Sequence, residues 1–382
     1  MTDVSRLQLP PLSLYVHVPW CVRKCPYCDF NSHTQHGELP EADYLAALLQ
    51  DLDTELQWVQ GRALQSIFIG GGTPSLMSAG FYRQLLLEVG QRIDFASDIE
   101  ITLEANPGTF EQARFAGYRQ AGINRLSLGV QSFADDSLQA LGRIHSGADA
   151  VAAIGQAQQL GFERLNLDLM HGLPGQTLEM AMADLQQALA LQTSHLSWYQ
   201  LTIEPNTEFH SRPPTLPVDE ALWTIQEQGQ ALLAKAGFAQ YEISGYSLAG
   251  QQCRHNLNYW RFGDYIGIGA GAHGKLTDLA TQQLLRRWKP RQPKAYQDDP
   301  TAAKQSPIET AELPLEFMMN ALRLYQGVEA ALFEPATGIP LAQIQRQLDR
   351  ARQRGLLESD PQWLAPTEQG KRFLNDLLEL FV

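Results

Sequence analysis

Short apolar runs alternate with amphipathic segments along the first 205 residues of the chain. The runs are rich in β-branched and aromatic residues, whereas the segments between them repeat apolar residues every three or four positions, which predicts strands followed by helices. Strands that alternate with helices form right-handed crossovers and a mostly parallel sheet. Six such units predict an α/β fold, an open, partial (β/α)6 barrel. The runs are SLYVHVPW (13–20), SIFIGGG (66–72), IEITLEANP (99–107), INRLSLGVQSF (123–133), RLNLDLMHGLP (164–174) and HLSWYQLTIEP (195–205).

The pattern changes after about residue 206. YEISGYS (241–247) predicts one more strand, and RRWKPRQPKAYQDDP (286–300) predicts a loop. Helix signals return from about residue 312, with a short β-wing around Trp363 and Leu364 before a capped terminal helix. This order is typical of a small, mainly helical, winged-helix-like domain. We therefore expect a barrel over 1–240, a connecting segment over 241–305 and a helical domain over 306–382.

Length and charge limit the number of domains and the kinds of partner that the sequence predicts. The 382 residues suggest two or three domains, and 29 basic against 42 acidic residues give a net charge of −13. That charge argues against nucleic acid as a partner, including for the winged-helix-like domain. No run approaches the roughly 18 apolar residues that span a bilayer, and the N-terminal residues make a poor signal peptide. We expect a cytoplasmic protein without a transmembrane segment.

Polar or glycine-rich chemistry follows each of the six predicted strands. The endings include Gly-Gly-Gly-Thr-Pro, Glu-Ala-Asn-Pro, Gln-Ser-Phe and Thr-Ile-Glu-Pro. Barrels of this kind build their active site where the strands end. Glycine and proline at these positions are explained if they simply terminate the strands. Strand termination does not explain the ionisable or amide side chains that accompany them.

Three of the four cysteines lie within eight residues, with the spacing C-x3-C-x2-C formed by Cys21, Cys25 and Cys28. Clustered cysteines in an intracellular protein indicate metal rather than disulfides. A structural zinc site is one interpretation, with His33 or His36 as the fourth ligand. An iron–sulfur cubane fits the spacing better, because three thiolates leave one iron open to a further ligand. Independent thiols this close together on a loop would be prone to oxidation.

The cysteine spacing after a first barrel strand resembles the radical S-adenosylmethionine (SAM) superfamily, and Tyr27 matches the aromatic residue between the last two cysteines. The resemblance implies a 4Fe–4S cluster whose open iron binds SAM through its amino and carboxylate groups. It also implies an electron donor, since an electron from the reduced cluster splits SAM into methionine and a 5′-deoxyadenosyl radical. Residues 70–74 lie where the superfamily binds the methionine amino group. Arg143 is suited to the methionine carboxylate and Glu104 to a ribose or an ammonium group.

A closer resemblance is to the HemN-like group within that superfamily. It rests on the motifs YVHVPWC, GGGTPS, LEANP, GVQSF, LGRIH and DLMHGLPGQT, and it extends from about residue 13 to the C-terminus. By this resemblance Cys21, Cys25 and Cys28 bind the cluster. The implied SAM contacts are Tyr15, Gly71, Gly72, Thr73, Glu104, Gln131, Arg143 and Asp168.

The group contains an oxygen-independent coproporphyrinogen III oxidase and a heme chaperone, and three features separate the two. The oxidase has a further cysteine two residues after the third, where this chain has Phe30, and it has a longer segment before the first strand. The segment His255-Asn-Leu-Asn-Tyr-Trp260 matches the HNxxYW motif of the chaperone branch. Histidine is a common axial ligand of heme iron, which makes His255 the candidate ligand. The alternatives are that His255 caps a turn among core aromatics and that Cys253 is a buried thiol rather than a second ligand.

The sequence therefore predicts a protein that binds heme and delivers it to apo heme proteins such as respiratory enzymes, with the cluster and SAM as its cofactors. An oxidative decarboxylation of coproporphyrinogen III is the first alternative, because every residue implied for radical formation is present. A radical enzyme that acts on another substrate is the second.

Overall fold

The computed structural model describes residues 7–35 and 37–382 of the chain, the side chain of Phe110 excepted. Strands and helices alternate through the first two hundred residues, and helices dominate the last seventy. The strands are β1 (Leu12–Val18), β2 (Trp20–Cys21), β3 (His33–Thr34), β4 (Leu64–Gly71), β5 (Phe95–Ala105), β6 (Arg125–Gln131), β7 (Arg164–His171), β8 (His195–Gln200), β9 (Ala239–Gln240), β10 (Gly245–Ser247), β11 (Asp264–Ile268), β12 (His273–Asp278), β13 (Gln283–Trp288), β14 (Lys304–Pro307), β15 (Val328–Glu329) and β16 (Trp363–Leu364). The α-helices are α1 (Glu41–Glu55), α2 (Ala79–Arg92), α3 (Thr109–Gln112), α4 (Phe115–Ala121), α5 (Asp135–Ala140), α6 (Gly147–Gln159), α7 (Leu178–Ala190), α8 (Glu208–Ser211), α9 (Asp219–Lys235), α10 (Arg254–Trp260), α11 (Pro293–Asp298), α12 (Leu313–Ala321), α13 (Phe333–Thr337), α14 (Gln345–Gln353), α15 (Glu368–Arg372) and α16 (Leu374–Leu378).

The six predicted strands form the centre of a twelve-stranded sheet in the order β14-β13-β12-β11-β1-β4-β5-β6-β7-β8-β10-β9. The strands β1, β4, β5, β6, β7 and β8 pair in parallel, each with the next along the chain. The prediction of a parallel, partial barrel is therefore confirmed. Because the strands run the same way, their carboxyl ends meet at one edge, where the polar strand endings are brought together.

Side-chain caps and a buried apolar core explain where the barrel helices begin and how they pack. Ser78 accepts a hydrogen bond from the Phe81 N–H at 3.1 Å and begins α2. Ser146 and Asp149 form a capping box at the start of α6. The apolar faces of these helices join the strand residues in one large core that includes Leu48, Leu85 and Leu128.

The sheet continues past β1 into the segment after the barrel. Strand β11 pairs in parallel with β1, and β12, β13 and β14 follow in antiparallel order. The predicted loop over 286–300 is wrong: its first residues belong to β13, and Pro293 lies in the first turn of α11. The charged residues of this segment suggested an exposed loop. Arg287 is nevertheless buried in the strand, because its Nη2 donates to Glu55 Oε1 at 2.7 Å. The strand predicted over 241–247 is shorter than expected and covers only β10.

A second apolar core combines Phe317, Phe333 and Leu364 of the C-terminal region with Tyr241 and Phe262 from the segment before it. The predicted wing is present as β16, which pairs antiparallel with β15. Thr367 accepts a hydrogen bond from the Gly370 N–H at 3.0 Å and caps α15, as the sequence predicts for the terminal helix.

Over the described ranges, 7–35 and 37–382, no helix has the combination of length and apolar character that crossing a bilayer requires.

Candidate functional site

A cavity of about 440 Å³ opens at the carboxyl ends of the barrel strands. This volume lies within the range of small-molecule sites. The three clustered cysteines and seven of the eight predicted SAM contacts line it together. Those residues are Cys21, Cys25, Cys28, Gly71, Gly72, Thr73, Glu104, Gln131, Arg143 and Asp168.

The cysteine loop begins at β2 and returns at β3, which pairs with β2 in parallel. The Cys21 Sγ accepts a hydrogen bond from Thr73 Oγ1 at 3.4 Å, and the Cys25 Sγ lies 3.7 Å from Arg143 Nη1. Burial raises the pKa of both Cys21 and Cys28, so deprotonation needs a cationic partner such as iron. The hydroxyl and guanidinium donors already directed at the sulfur atoms suit thiolate ligands. The donor set therefore fits an iron–sulfur cluster.

The zinc interpretation depends on a fourth ligand near the cysteines. The His33 Nε2 lies 3.3 Å from Asn31 Oδ1, and His36 lies outside the described residues. In the part of the chain that the structure describes, no three His, Cys, Asp or Glu side chains converge on one metal position. A cubane places each thiolate on a different iron atom and does not require such convergence.

The glycine-rich turn after β4 is fixed against the start of the cysteine loop. The Gly72 N–H donates to the Val18 carbonyl and the Thr73 N–H donates to the Trp20 carbonyl, both at 2.7 Å. A Cβ on Gly72 would lie 2.5 Å from the Trp20 carbonyl oxygen. Gly71 has φ +121°, and a Cβ there would lie 2.6 Å from the His17 ring. Only glycine fits at both positions, which keeps the backbone next to the cysteines.

Two acidic side chains share the floor of the cavity. Burial and the neighbouring Asp168 raise the pKa of Glu104 to about 8, although Gly71 N–H donates to Glu104 Oε2 at 3.1 Å. Burial also raises the pKa of Asp168, against hydrogen bonds from Asn166 and Ser127. A buried carboxyl pair of this kind favours a bound ligand that brings positive charge or hydroxyl donors.

Gln131 and Arg143 form the opposite wall. Gln131 has φ +67° and follows a register shift between β6 and β7, so the strand bends where its side chain enters the cavity. Arg143 Nη2 donates to Asn106 Oδ1 at 2.6 Å and to the Gly129 carbonyl at 2.8 Å. Its Nε is buried without a hydrogen-bond partner in the described chain. The guanidinium is held in place with donor capacity to spare for an anionic group.

Two residues of this wall were not selected from the sequence. Asn106 orients Arg143, and the Tyr199 hydroxyl donates to Gln131 Oε1 at 3.1 Å. Asn106 belongs to the polar ending of the predicted strand over 99–107, which was an available signal, whereas Tyr199 lies inside the predicted strand over 195–205. Their roles depend on partners that are remote in sequence, which a single sequence does not reveal.

A second cavity of about 450 Å³ adjoins the first, and Phe30, Gly71 and Glu104 line both. Tyr15, the remaining predicted SAM contact, lines only this second cavity, and its hydroxyl lies 3.0 Å from His17 Nδ1. Contact between Tyr15 and SAM stays a prediction. The other lining residues are His17, Asn31, Tyr259, Tyr265, Gly271, His273 and Arg291.

His255 is buried in α10 behind this second cavity. Its Nδ1 lies 2.9 Å from the Ser66 hydroxyl and its Nε2 lies 3.0 Å from the Tyr259 hydroxyl. The ring stacks on Phe68 at a centroid distance of 5.1 Å, and burial lowers the pKa of His255 to about 3. The imidazole is therefore neutral, but both ring nitrogens are occupied. Iron ligation by His255 stays a prediction, and it requires the Tyr259 hydroxyl to move away.

Cys253 is buried beside Glu100, and its Sγ lies 3.6 Å from Glu100 Oε1. Burial raises the pKa of this thiol to about 11. A neutral thiol that donates to a carboxylate agrees with a structural role.

Comparison with known proteins identifies the family. Residues 15–188 match the family described as Radical SAM superfamily, and residues 308–373 match the HemN C-terminal domain. The Heme chaperone HemW of Haemophilus influenzae is 55% identical over 380 residues, which cover 98% of this chain and 99% of that protein. The chain belongs to the HemW family of radical SAM proteins. HemW proteins of Escherichia coli, at 54% identity over 376 residues, and of Bacillus subtilis, at 34% over 382, match over nearly the same extent.

The fold is shared more widely than the HemW family. The solved structure of coproporphyrinogen III oxidase (HemN) from Escherichia coli aligns with a TM-score of 0.82 at 21% identity, covering 99% of this chain and 91% of that one. This likeness confirms the radical SAM barrel with a helical C-terminal domain. At that identity it bears on the fold alone.

Proposed function

We propose that the protein is a cytoplasmic heme chaperone that binds heme and passes it to apo heme proteins such as respiratory enzymes. The observation that carries this proposal is the full-length similarity to proteins named heme chaperones. The second cavity supports it, because Tyr259 of the HNLNYW segment and the exposed ring of Phe30 both line that cavity. Aromatic walls suit a flat macrocycle.

The first cavity would hold the 4Fe–4S cluster on Cys21, Cys25 and Cys28, with SAM beside it. Such a cluster supplies one electron from an external donor to the sulfonium of bound SAM. The chain's own residues orient the ligand: Arg143 offers a forked donor to a carboxylate, and Glu104 offers an acceptor to an ammonium or a hydroxyl. The two cavities share Phe30, Gly71 and Glu104, so a ligand in one cavity lies next to residues that also line the other. We infer that the cluster and SAM control the transfer of heme to its acceptor rather than drive porphyrin chemistry.

The test is a titration of hemin into anaerobically reconstituted protein, followed at the Soret band, and then incubation with an apo acceptor. Saturable binding near one heme per chain, with subsequent transfer to the acceptor, is expected. Absence of saturable binding, or of any transfer, would overturn the chaperone proposal. A parallel titration of His255→Ala tests whether the motif histidine contributes to binding.

The second candidate is an oxygen-independent coproporphyrinogen III oxidase, favoured by the complete set of cysteines and SAM contacts around one cavity. Phe30 argues against it, because the oxidase has a cysteine at that position. Anaerobic incubation with coproporphyrinogen III, SAM and a reductant decides this point by porphyrin fluorescence. Formation of deoxyadenosine without a porphyrin product would instead indicate a radical enzyme with another substrate.

A further inference from the structure

His17 and His273 line the second cavity and His255 lies behind it, and the ring nitrogens of these three histidines differ in availability. The His17 ring lies 3.0 Å from the Tyr15 hydroxyl and 2.9 Å from the Asn31 carbonyl, so both of its nitrogens are occupied. Those of His255 are occupied by Ser66 and Tyr259. His273 lines the cavity with an exposed side chain, and no protein atom of the described residues hydrogen-bonds its ring. Of the three, His273 alone offers a free imidazole nitrogen to a ligand.

The backbone holds His273 in a fixed position. It is the first residue of β12 and pairs with Trp288 of β13. On its other side Gly267 of β11 approaches so closely that a Cβ there would lie 2.0 Å from the His273 carbonyl oxygen. A ligand on a rigid strand is positioned more accurately than one on a loop.

The charges around His273 favour an anionic ligand and a neutral ring. Burial, Arg286 and Arg291 together lower the pKa of His273, so the imidazole can coordinate a metal without first losing a proton. Arg286 is paired with Glu316 at 2.5 Å, whereas Arg291 is exposed, lines the cavity and has no ion-pair partner in the described chain. The acidic group in the lining is Glu104, which keeps its proton at neutral pH because its pKa is raised to about 8.

Aromatic side chains complete the walls. Tyr259 and Tyr265 meet edge to face with ring centroids 4.4 Å apart, and Phe30 is 60% exposed at the boundary with the first cavity. A flat apolar ligand with an acidic edge and a coordinating metal at its centre matches this set of groups. Heme has all three properties.

We propose that His273 is the axial ligand of heme iron in this cavity, that Arg291 binds a heme propionate, and that His255 acts by positioning Tyr259. This inference rests on the proposed heme-chaperone function and specifies its binding site. It differs from the prediction made from the HNLNYW motif, because the motif histidine becomes a positioning residue and the ligand comes from β12.

The test compares hemin binding by the reconstituted full chain and by His273→Ala, His255→Ala and the control His210→Ala, whose histidine is exposed and lines neither cavity. Resonance Raman spectroscopy of the ferrous adduct reports the iron–histidine stretch. We expect His273→Ala to lose this band and to bind hemin at least about tenfold more weakly, as expected when one strong interaction is removed. Added imidazole should restore a histidine-like spectrum. His255→Ala should keep the band, and His210→Ala should match the wild type.

The outcomes separate the proposals. Loss of the band in His255→Ala together with its retention in His273→Ala would overturn this inference and establish the motif histidine as the ligand. An unchanged spectrum in His273→Ala would overturn it as well. Failure of the wild type to bind hemin would instead contradict the proposed function itself. Because His273 is exposed, its replacement leaves the core intact, and circular dichroism verifies this.

A separate experiment tests Arg291. It compares hemin with a heme derivative that lacks the free propionates to which Arg291 is proposed to bind. Arg291→Ala should weaken hemin binding by about three- to tenfold, the range for one charge-assisted contact at a partly exposed site. Binding of the heme dimethyl ester, which lacks free propionates, should change less than about twofold. The control Arg83→Ala, an exposed arginine that lines neither cavity, should affect neither ligand. Equal weakening of both ligands by Arg291→Ala would contradict a propionate contact.

Discussion

The two adjoining cavities have similar volumes but different chemistry and different origins in the chain. Polar side chains at the ends of the barrel strands and the cysteine loop build the first, and many of them are hydrogen-bonded to one another. The second combines residues of β1 and β5 with aromatic and basic side chains from residues 259–291, beyond the barrel. The added segment can therefore specify a new ligand while the barrel keeps its own chemistry. Stacked contacts between the rings of Tyr15, Phe68 and His255 join the barrel strands β1 and β4 to α10 of the added segment.

The largest expected effect comes from replacing one of the three cysteines proposed to bind the cluster. Cys25→Ser should lower the iron and sulfide content of reconstituted protein by more than about tenfold, because the remaining thiolates leave the cluster without a required ligand. Iron analysis and the visible spectrum measure this change. Cys253→Ser is the matched control and should keep the cluster, since Cys253 lies beside Glu100 and away from the cavity.

The same variant also tests the independence of the cavities. If the second cavity forms independently of the cluster in the first, Cys25→Ser should still bind hemin with an affinity within about threefold of the wild type. Complete loss of hemin binding would show that the cluster is required to form the second site.

The next largest effect is expected on SAM affinity when the guanidinium of Arg143 in the first cavity is replaced. Arg143→Lys should weaken SAM binding by about 10- to 100-fold, because an ammonium group cannot replace contacts worth roughly 1.5–3 kcal/mol from a fixed guanidinium. Arg143 is already held by Asn106 and the Gly129 carbonyl, so little ordering is needed on binding. Calorimetry with SAM measures the loss. An unchanged SAM affinity, or an equal loss of hemin affinity, would contradict this assignment.

A third effect concerns stability rather than ligands. His255→Ala should lower the free energy of unfolding by about 2–3 kcal/mol, because a buried ring and its contacts with Ser66 and Tyr259 are lost. Urea unfolding measures the difference. His210→Ala, at an exposed position, should change stability by less than about 0.5 kcal/mol. Equal stability of both variants would indicate that His255 is not a structural support in the folded chain.

The sequence predicted the first cavity better than the second for a physical reason. Strand periodicity indicates where parallel strands end, and it therefore predicts that Glu104, Gln131 and Asp168 lie at one edge of the sheet. The pairing of β11 with β1, which brings β12 next to the barrel, depends on contacts between segments about 250 residues apart. His273 therefore carried no signal as a neighbour of Tyr15. His255 matched a motif, but a motif does not show that both of its nitrogens are occupied.

The smallest expected effect involves Glu104, which lines both cavities. Its pKa is raised from 4.5 to about 8, chiefly by burial and then by Asp168. Folded protein thus keeps a proton that the unfolded chain releases above its ordinary pKa, and the free energy of unfolding should fall as the pH rises from about 5 to 8. Because the cavity is open to water, we expect the total to be about 1–2 kcal/mol rather than the full value of the shift.

Urea unfolding of cluster-free protein at several pH values, with wild type and Glu104→Gln compared at each, isolates this contribution. The amide cannot titrate, so the wild type should lose stability relative to the variant across the window and the difference should level off above pH 8. The raised pKa of Asp168 acts in the same direction in both proteins and cancels in the comparison, apart from its coupling to Glu104. Parallel stability curves over the whole range would show that Glu104 is already ionised, and both cavities would then hold a negative charge that repels carboxylates.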